Sequence, residues 1–311
     1  MDLDGAHQGF GPRQHPPGGP AGDGQAHRRD LAARRDAPAR RLRVRGGRPD
    51  FRPLLNGALR RVLANSRYTA DAVQRTFPFL PAERFAIVRP GVRLPPVPLR
   101  CESPLNAAAP KRTLLSVARF DPRKGLPLAI EAFAEMRART EASEFARWRL
   151  VLAGGYDRQL PEVRALVEQL HAQASAQGVA AQVELRFDPP PDALEKLWQE
   201  AFALVHCAPA EHFGIVLIEA MARGLPVLAV NHAGPREIVF DGITGALRAP
   251  RAREFAEVLA QRSHAPAHAA ALGAAGRARA EAEFSIGRFF AEFATQAELA
   301  LSLNRPRPEK P

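Results

Sequence analysis

Thiols are scarce in this chain. Its two cysteines, Cys101 and Cys207, lie far apart in 311 residues, which excludes a disulfide framework and a zinc site built on cysteine. Long apolar runs are missing too, and none approaches the ~18–20 residues that span a bilayer. The N-terminal stretch has no apolar core of the kind a secretory signal needs. A reduced, cytosol-facing protein is therefore the expectation. Lysine is nearly absent: Lys111, Lys124, Lys196 and Lys310 are the only four among 44 basic residues.

What is abundant is arginine, which carries the formal net charge to +11. Chains that grip phosphate backbones cluster Lys and Arg on one face. Here arginine is spread among Ala, Pro and Gly, a pattern of compositional bias rather than of a binding patch, and no nucleic-acid partner is expected. With 46% hydrophobic residues the chain can bury a substantial core.

The first fifty residues differ from the rest. They hold nine Gly, six Pro, ten Arg and six Asp, and so carry +4 of the charge. Such a segment cannot bury enough apolar surface to offset chain entropy, so 1–53 is expected to be disordered. The pairs Arg28-Arg29, Arg34-Arg35 and Arg40-Arg41 leave one reading of a different class, an RNA or anionic-membrane binder acting through residues 1–50. Its binding would collapse with salt.

From Leu54 the texture changes. Val62-Leu63-Ala64 reads as a strand, Asn65-Ser66 as a helix cap, and Ala70–Phe77 as the helix. Ile87-Val88 reads as a strand, and Pro95–Pro110 as a linker. A repeating unit then sets in. Expected strands are Leu114–Ala118, Arg149–Ala153, Val183–Leu185, Ala203–Val205 and Pro226–Val230. Between them fall helices at Pro127–Arg137, Pro161–Ala176, Asp192–Ala201 (with Asp192 as cap), Gly214–Arg223 and Pro235–Phe240. Such alternation predicts an α/β fold, a parallel sheet with helices on both faces. Helices alone follow Arg251, at Ala252–Gln261, Ala267–Glu283 and Ile286–Leu303; the last carries an amphipathic stripe of Phe289, Phe290, Phe293, Ala297 and Leu301.

Ligands of such sheets bind beyond the strands' carboxyl ends, and four segments fall there. Arg119-Phe120-Asp121-Pro122-Arg123-Lys124-Gly125 places three cations before a helix, which suits a diphosphate or makes a solvated basic turn in which Asp121 neutralises an arginine. Ala153-Gly154-Gly155-Tyr156-Asp157 is either a close approach to a ligand or a plain turn. In Glu211-His212-Phe213-Gly214-Ile215-Val216-Leu217-Ile218-Glu219, Glu219 is the only charged residue from Phe213 to Ala222. It needs an arginine or a ligand hydroxyl to receive it, while Glu211 serves either a ligand or the helix N-terminus. In Asn231–Glu237, Glu237 is expected to complement its own helix dipole. His212 and His232 have no second ligand at metal spacing, so no metal is assigned.

Together these strings resemble the retaining, nucleotide-sugar-dependent glycosyltransferases of the GT-B fold, family 4, over roughly Leu63 to Leu303. The wording of Ser116-Val117-Ala118-Arg119, Ala153-Gly154-Gly155-Tyr156-Asp157, Glu211-His212-Phe213-Gly214-Ile215-Val216 and Glu219-Ala220-Met221 is similar to that of the eukaryotic α-1,3/1,6-mannosyltransferases of dolichol-linked oligosaccharide assembly. The resemblance implies GDP-mannose as donor, no metal or other cofactor, and a dolichol-linked oligosaccharide as acceptor. It also implies work at the cytosolic face of the endoplasmic reticulum membrane. By the same resemblance Arg119 and Lys124 neutralise the diphosphate, Glu211 binds mannose hydroxyls and Glu219 the ribose. Phe213, Gly214 and Ile215, with Gly154 and Gly155, line the donor.

The family has two Rossmann-like domains, and only the final piece of the first, around Ala64–Thr69, is recognisable here. The expected organisation is thus a disordered 1–53, a remnant of the acceptor domain and linker at 54–110, a nucleotide-sugar domain at 111–284, a helix at 285–303 and a tail at 304–311. A truncated reading of a full transferase, or a donor-binding fragment, would both give this arrangement. The final helix, lacking the first domain to pack on, is expected to leave an apolar patch prone to self-association.

Overall fold

The computed structural model describes residues 61–95 and 112–302, and a two-strand ribbon in which β1 (Val44–Arg45) pairs antiparallel with β2 (Arg48–Pro49). The expectations for 1–53, for the linker as far as Lys111 and for the tail fall, apart from that ribbon, outside the described residues. The chain divides into two units, Met1–Phe51 and Arg52–Pro311; everything below concerns the second.

Its first element pairs β3 (Val62–Ala64) parallel with β4 (Phe85–Ile87). Between them runs α1 (Arg67–Thr76), capped by the Ser66 side chain, which accepts from the Thr69 amide. The cap fell at Asn65-Ser66 as the residue types demanded, and the helix starts three residues earlier than its apolar pattern suggested.

The main sheet has six parallel strands among the described residues: β5 (Arg112–Val117), β6 (Trp148–Gly154), β7 (Val183–Phe187), β8 (Ala201–His206), β9 (Val227–Val230) and β10 (Ala246–Arg248). Their spatial order is β10-β9-β8-β5-β6-β7. Chain order therefore runs outward from the β5–β8 seam in both directions. Side chains alternate across the sheet with a period of two, and both sets are apolar. Leu114, Leu150, Leu152, Ala203, Val205, Leu228 and Val230 face one core cluster; Leu115, Val151, Ala153, Leu204, Val227 and Ala229 face the other. A strand apolar on both faces has to be covered twice.

Helices supply the covers. On the first face lie α2 (Leu126–Arg137), α4 (Pro161–Ala176) and α8 (Ala252–His264), through Ile130, Phe133, Leu166, Leu170, Phe255 and Leu259. On the second lie α5 (Pro191–Glu200), α6 (Ile215–Ala222) and α9 (Pro266–Glu283), through Leu197, Trp198, Leu217, Ile218 and Ala280. Short helices α3 (Ala142–Phe145) and α7 (Pro235–Ile238) fill connections, and α10 (Ile286–Ser302) closes the described chain.

Three expectations need correction. Asp192 is not a cap: α5 begins at Pro191, whose missing N–H suits the first turn, and Asp192 sits within that turn. β10 and α3 were not expected, because three and four residues are too short to show a period. Helix ends also shifted, α8 running to His264 and α7 ending at Ile238.

Candidate functional site

The carboxyl end of β5 leads into a loop that leans on the end of β6. The Ala118 amide donates to the Ala153 carbonyl at 2.9 Å, and Phe120 to that of Gly155 at 2.8 Å. This approach explains Gly154. A Cβ built on it would lie 2.0 Å from the Ala118 carbonyl oxygen, and its φ is +151°, so glycine is required by backbone against backbone. Gly155 has more room: its nearest neighbour is the Arg119 side chain, at 3.6 Å.

The three cations of this loop have different fates. Asp121 takes Arg123: its carboxylate accepts from the Arg123 amide at 2.9 Å and from the guanidinium at 2.9 and 2.6 Å. Those bonds hold the Asp121 carboxyl well below the ordinary range. Arg123 is thereby neutralised locally, and the group of three available cations becomes two. Among the described residues Arg119 keeps only a long approach to Asp121, 3.9 Å, and its side chain is 70% exposed. Lys124 turns inward, its Nζ 2.7 Å from Glu211 Oε2.

Glu211 arrives from β8, whose six residues are all buried. After the strand, Gly214 takes φ +98° and caps α6. A Cβ there would meet Leu217 Cδ1 at 3.0 Å and Glu211 Cγ at 3.5 Å. His206 Nε2 lies 3.7 Å from Glu211 Oε2. The His206 imidazole and the Lys124 ammonium together hold the Glu211 carboxyl down at about 2, against the burial that opposes its charge. Glu211 is therefore an ionised, paired carboxylate rather than only a complement to the α6 dipole.

Glu219, in the second turn of α6, stands differently. Burial pushes its carboxyl up, with Arg223 opposing. The Arg223 guanidinium itself bonds the Glu195 carboxylate at 2.7 Å and the Glu219 backbone carbonyl at 3.0 Å. No hydrogen bond or ion pair to the Glu219 carboxylate is found among the described residues. Phe213 faces away from this group, buried beside Phe284 at 6.3 Å between rings, while Ile215 is exposed. Arg119, Lys124, Glu211, Gly154, Gly155 and Gly214 thus meet at one end of the sheet. Glu219 follows on α6, and Phe213 supports from the core.

Two contacts escaped the linear reading. Ser66 Oγ donates to the His212 carbonyl at 2.6 Å, with the Tyr68 ring edge-on to the His212 ring. Glu237 does not serve its own short helix: its carboxylate accepts from the amides of Arg67 and Tyr68, both at 3.0 Å. It caps α1, 170 residues away in sequence, a separation at which no spacing rule operates. Open clefts of about 350 and 400 Å³ by β6 and β7 contain none of the candidate residues. Placed charge, not cavity volume, singles out the strand ends.

Comparison with known proteins shows the family and the fold. Residues 102–279 match the family model described as Glycosyl transferases group 1. Alpha-1,3/1,6-mannosyltransferase ALG2 of Mus musculus is 30% identical over 236 residues, covering 75% of this chain and 57% of that protein. The Homo sapiens ALG2 is 30% identical over 231 residues, 73% of this chain and 56% of that protein. The chain thus spans a little over half the length of these curated relatives. Among solved structures, Anabaena Alr3699/HepE in complex with UDP and glucose superposes with a TM-score of 0.66 at 22% identity, over 79% of this chain and 65% of that one. That likeness establishes the fold, the parallel α/β sheet of the GT-B glycosyltransferases. With its family match running through β5 to α9, across more than half of its length, the chain belongs to the glycosyl transferases group 1 family.

Proposed function

We propose that this chain carries the donor-binding half of a retaining mannosyltransferase that uses GDP-mannose. The observation that carries the reading is the Lys124–Glu211 pair, 2.7 Å apart at the β5–β8 seam, with Arg119 open beside it. When the glycosidic bond to a nucleoside diphosphate breaks, negative charge grows on the departing phosphate oxygens. Arg119 and Lys124 are the cations placed to stabilise it without a metal. The anomeric carbon forms a new bond to an acceptor hydroxyl on the same face, whose proton passes to the leaving diphosphate. Glu211 accepts from hydroxyls of the transferred sugar, and Glu219, half-buried and with no hydrogen bond or ion pair to its carboxylate among the described residues, from those of the ribose. Backbone at Gly154, Gly155, Gly214 and Ile215 lines the donor.

The likeness to the ALG2 proteins supports mannose and α-1,3/α-1,6 transfer, and the resemblance carried by the Glu211–Val216 string supports GDP-mannose as donor and a dolichol-linked oligosaccharide as acceptor. On this reading the protein works at the cytosolic face of the endoplasmic reticulum. No helix among the described residues is long and apolar enough to cross a membrane, so association would come through other segments or partners. The acceptor would be held mainly by the N-terminal domain, whose end is represented here by β3, α1 and β4.

Calorimetric titration with GDP, GDP-mannose and UDP-glucose tests the reading. GDP-mannose binding that disappears with Lys124→Ala or Glu219→Ala supports it. Tighter binding of UDP-glucose would reassign the donor within the family, and indifference to all three nucleotides would overturn the reading.

A further inference from the structure

His206 ends a strand that is otherwise wholly apolar, Ala201–Val205, and is itself only 5% exposed. Its Nδ1 is buried with no hydrogen-bond partner among the described residues. A polar atom left that way has lost its hydration with nothing in return, and an apolar side chain at this position would avoid the loss. Something has to offset it. The other ring nitrogen faces Glu211 Oε2 at 3.7 Å, the same oxygen that takes Lys124 Nζ at 2.7 Å. The second carboxylate oxygen, Oε1, has no partner among the described residues.

Lys124 cannot set the orientation of that carboxylate alone. An ammonium is a compact charge on a flexible stem, and it fixes a distance far better than a direction. A buried ring on a central strand is held in direction by its packing. Two groups converging on one oxygen from different elements stop the carboxylate from rotating about its last bond. The 3.7 Å approach exceeds hydrogen-bond length, so it acts as a charge–dipole attraction of the Nε2–H toward the anion. The opposite tautomer would strand an N–H in the core and aim a lone pair at a carboxylate.

We infer that His206 is a positioning residue: it holds the Oε2 side of Glu211 so that Oε1 is presented to a hydroxyl of the donor sugar. This rests on the reading of Glu211 as the sugar-binding carboxylate. It adds to that reading a residue that touches neither sugar nor phosphate.

The test uses the whole chain with His206→Phe, which keeps a ring and loses the donor, and His206→Gln, whose amide nitrogen can take the place of Nε2. Carbon-13 NMR of the Glu211 carboxyl reads the contact with no nucleotide present. Its titration midpoint should rise by about one pH unit in His206→Phe and return toward wild type in His206→Gln. Nitrogen-15 shifts of the wild-type ring should report the Nε2–H tautomer, a measurement that needs no variant. In calorimetry the preference for GDP-mannose over GDP should fall about tenfold in His206→Phe with GDP affinity unchanged. An Nδ1–H tautomer, or a Glu211 titration unmoved in a folded His206→Phe, overturns the inference. If the titration moves as expected but wild type binds no nucleotide, the positioning stands and the donor reading fails.

Discussion

Gly125 lies directly against the Cys207 carbonyl: a Cβ built on it would come within 2.3 Å of that oxygen. Its φ of +64° is in the left-handed region as well. This contact presses the loop after β5 onto the end of β8 and delivers the neighbouring Lys124 to Glu211. Gly125→Ala therefore meets a backbone oxygen and a strained φ together, and either the loop or the strand end has to move. Thermal or urea denaturation should register a loss of about 2 kcal/mol or more, and GDP-mannose affinity should fall further than stability alone explains. A variant as stable and as competent as wild type would show that the loop yields freely.

Glu211 makes stability depend on pH. Its carboxyl is held at about 2 in the folded chain against an ordinary 4.5. An acid whose folded value is depressed adds stability above its unfolded value and loses it as pH falls through the folded one. The stability difference between wild type and Glu211→Gln should be full above pH 4.5 and shrink toward pH 2. Comparing the two proteins cancels Asp121, whose carboxyl is lowered in both. Urea midpoints at pH 7, 4 and 3 give the answer; a difference that grows on acidification would contradict the pairing.

Glu219 presents the opposite sign. Burial raises its carboxyl, so the charged form is what the fold tolerates poorly. Glu219→Gln should raise unfolding free energy at pH 7 by about 1 kcal/mol while weakening nucleotide binding. The gain should vanish below pH 4.5, where the carboxyl is protonated folded or unfolded. A loss of stability at pH 7 would mean that the carboxylate is satisfied in the free protein.

The last described helix exposes aromatic rings. Phe290 is 61% and Phe293 46% exposed, and both rings lie tilted against Phe289. No residue of α10 is buried. Sedimentation at rising concentration should reveal self-association, and Phe290→Glu with Phe293→Glu should abolish it without loss of stability. Monomeric behaviour throughout would refute it.

The sheet was readable because its central strands carry apolar residues on both faces. A run such as Leu114–Val117, between a charged start and a charged loop, has few interpretations. The charged groups at strand ends were legible for the same reason, since the βα rhythm says which loops lie at which end. What stayed hidden depended on distance along the chain. Nothing local to Glu237 says that it caps α1, and nothing local to His206 separates it from an ordinary polar stop after Ala201–Val205. That Asp121 would neutralise an arginine of its loop was legible, but which one was not: the structure gives it Arg123. Ala246–Arg248 was missed because three residues carry no period, and its partner β9 alone makes it a strand.

The seam between β5 and β8 has a consequence for how the chain folds. Lys124 and Glu211 are 87 residues apart in sequence, with β6, β7, α4 and α5 between them. Neither half of the sheet can form the pair by itself, and the loop-closure entropy falls due before any of its energy returns. The pair is thus a late contact, formed when the two halves zip together along their first-laid strands. A chain caught with one half folded would expose the inner edges of β5 or β8, both rich in apolar residues, beside the unpaired Lys124 or Glu211. A ligand bridging the two loops would hold that seam shut, so donor binding should slow unfolding more than it speeds folding.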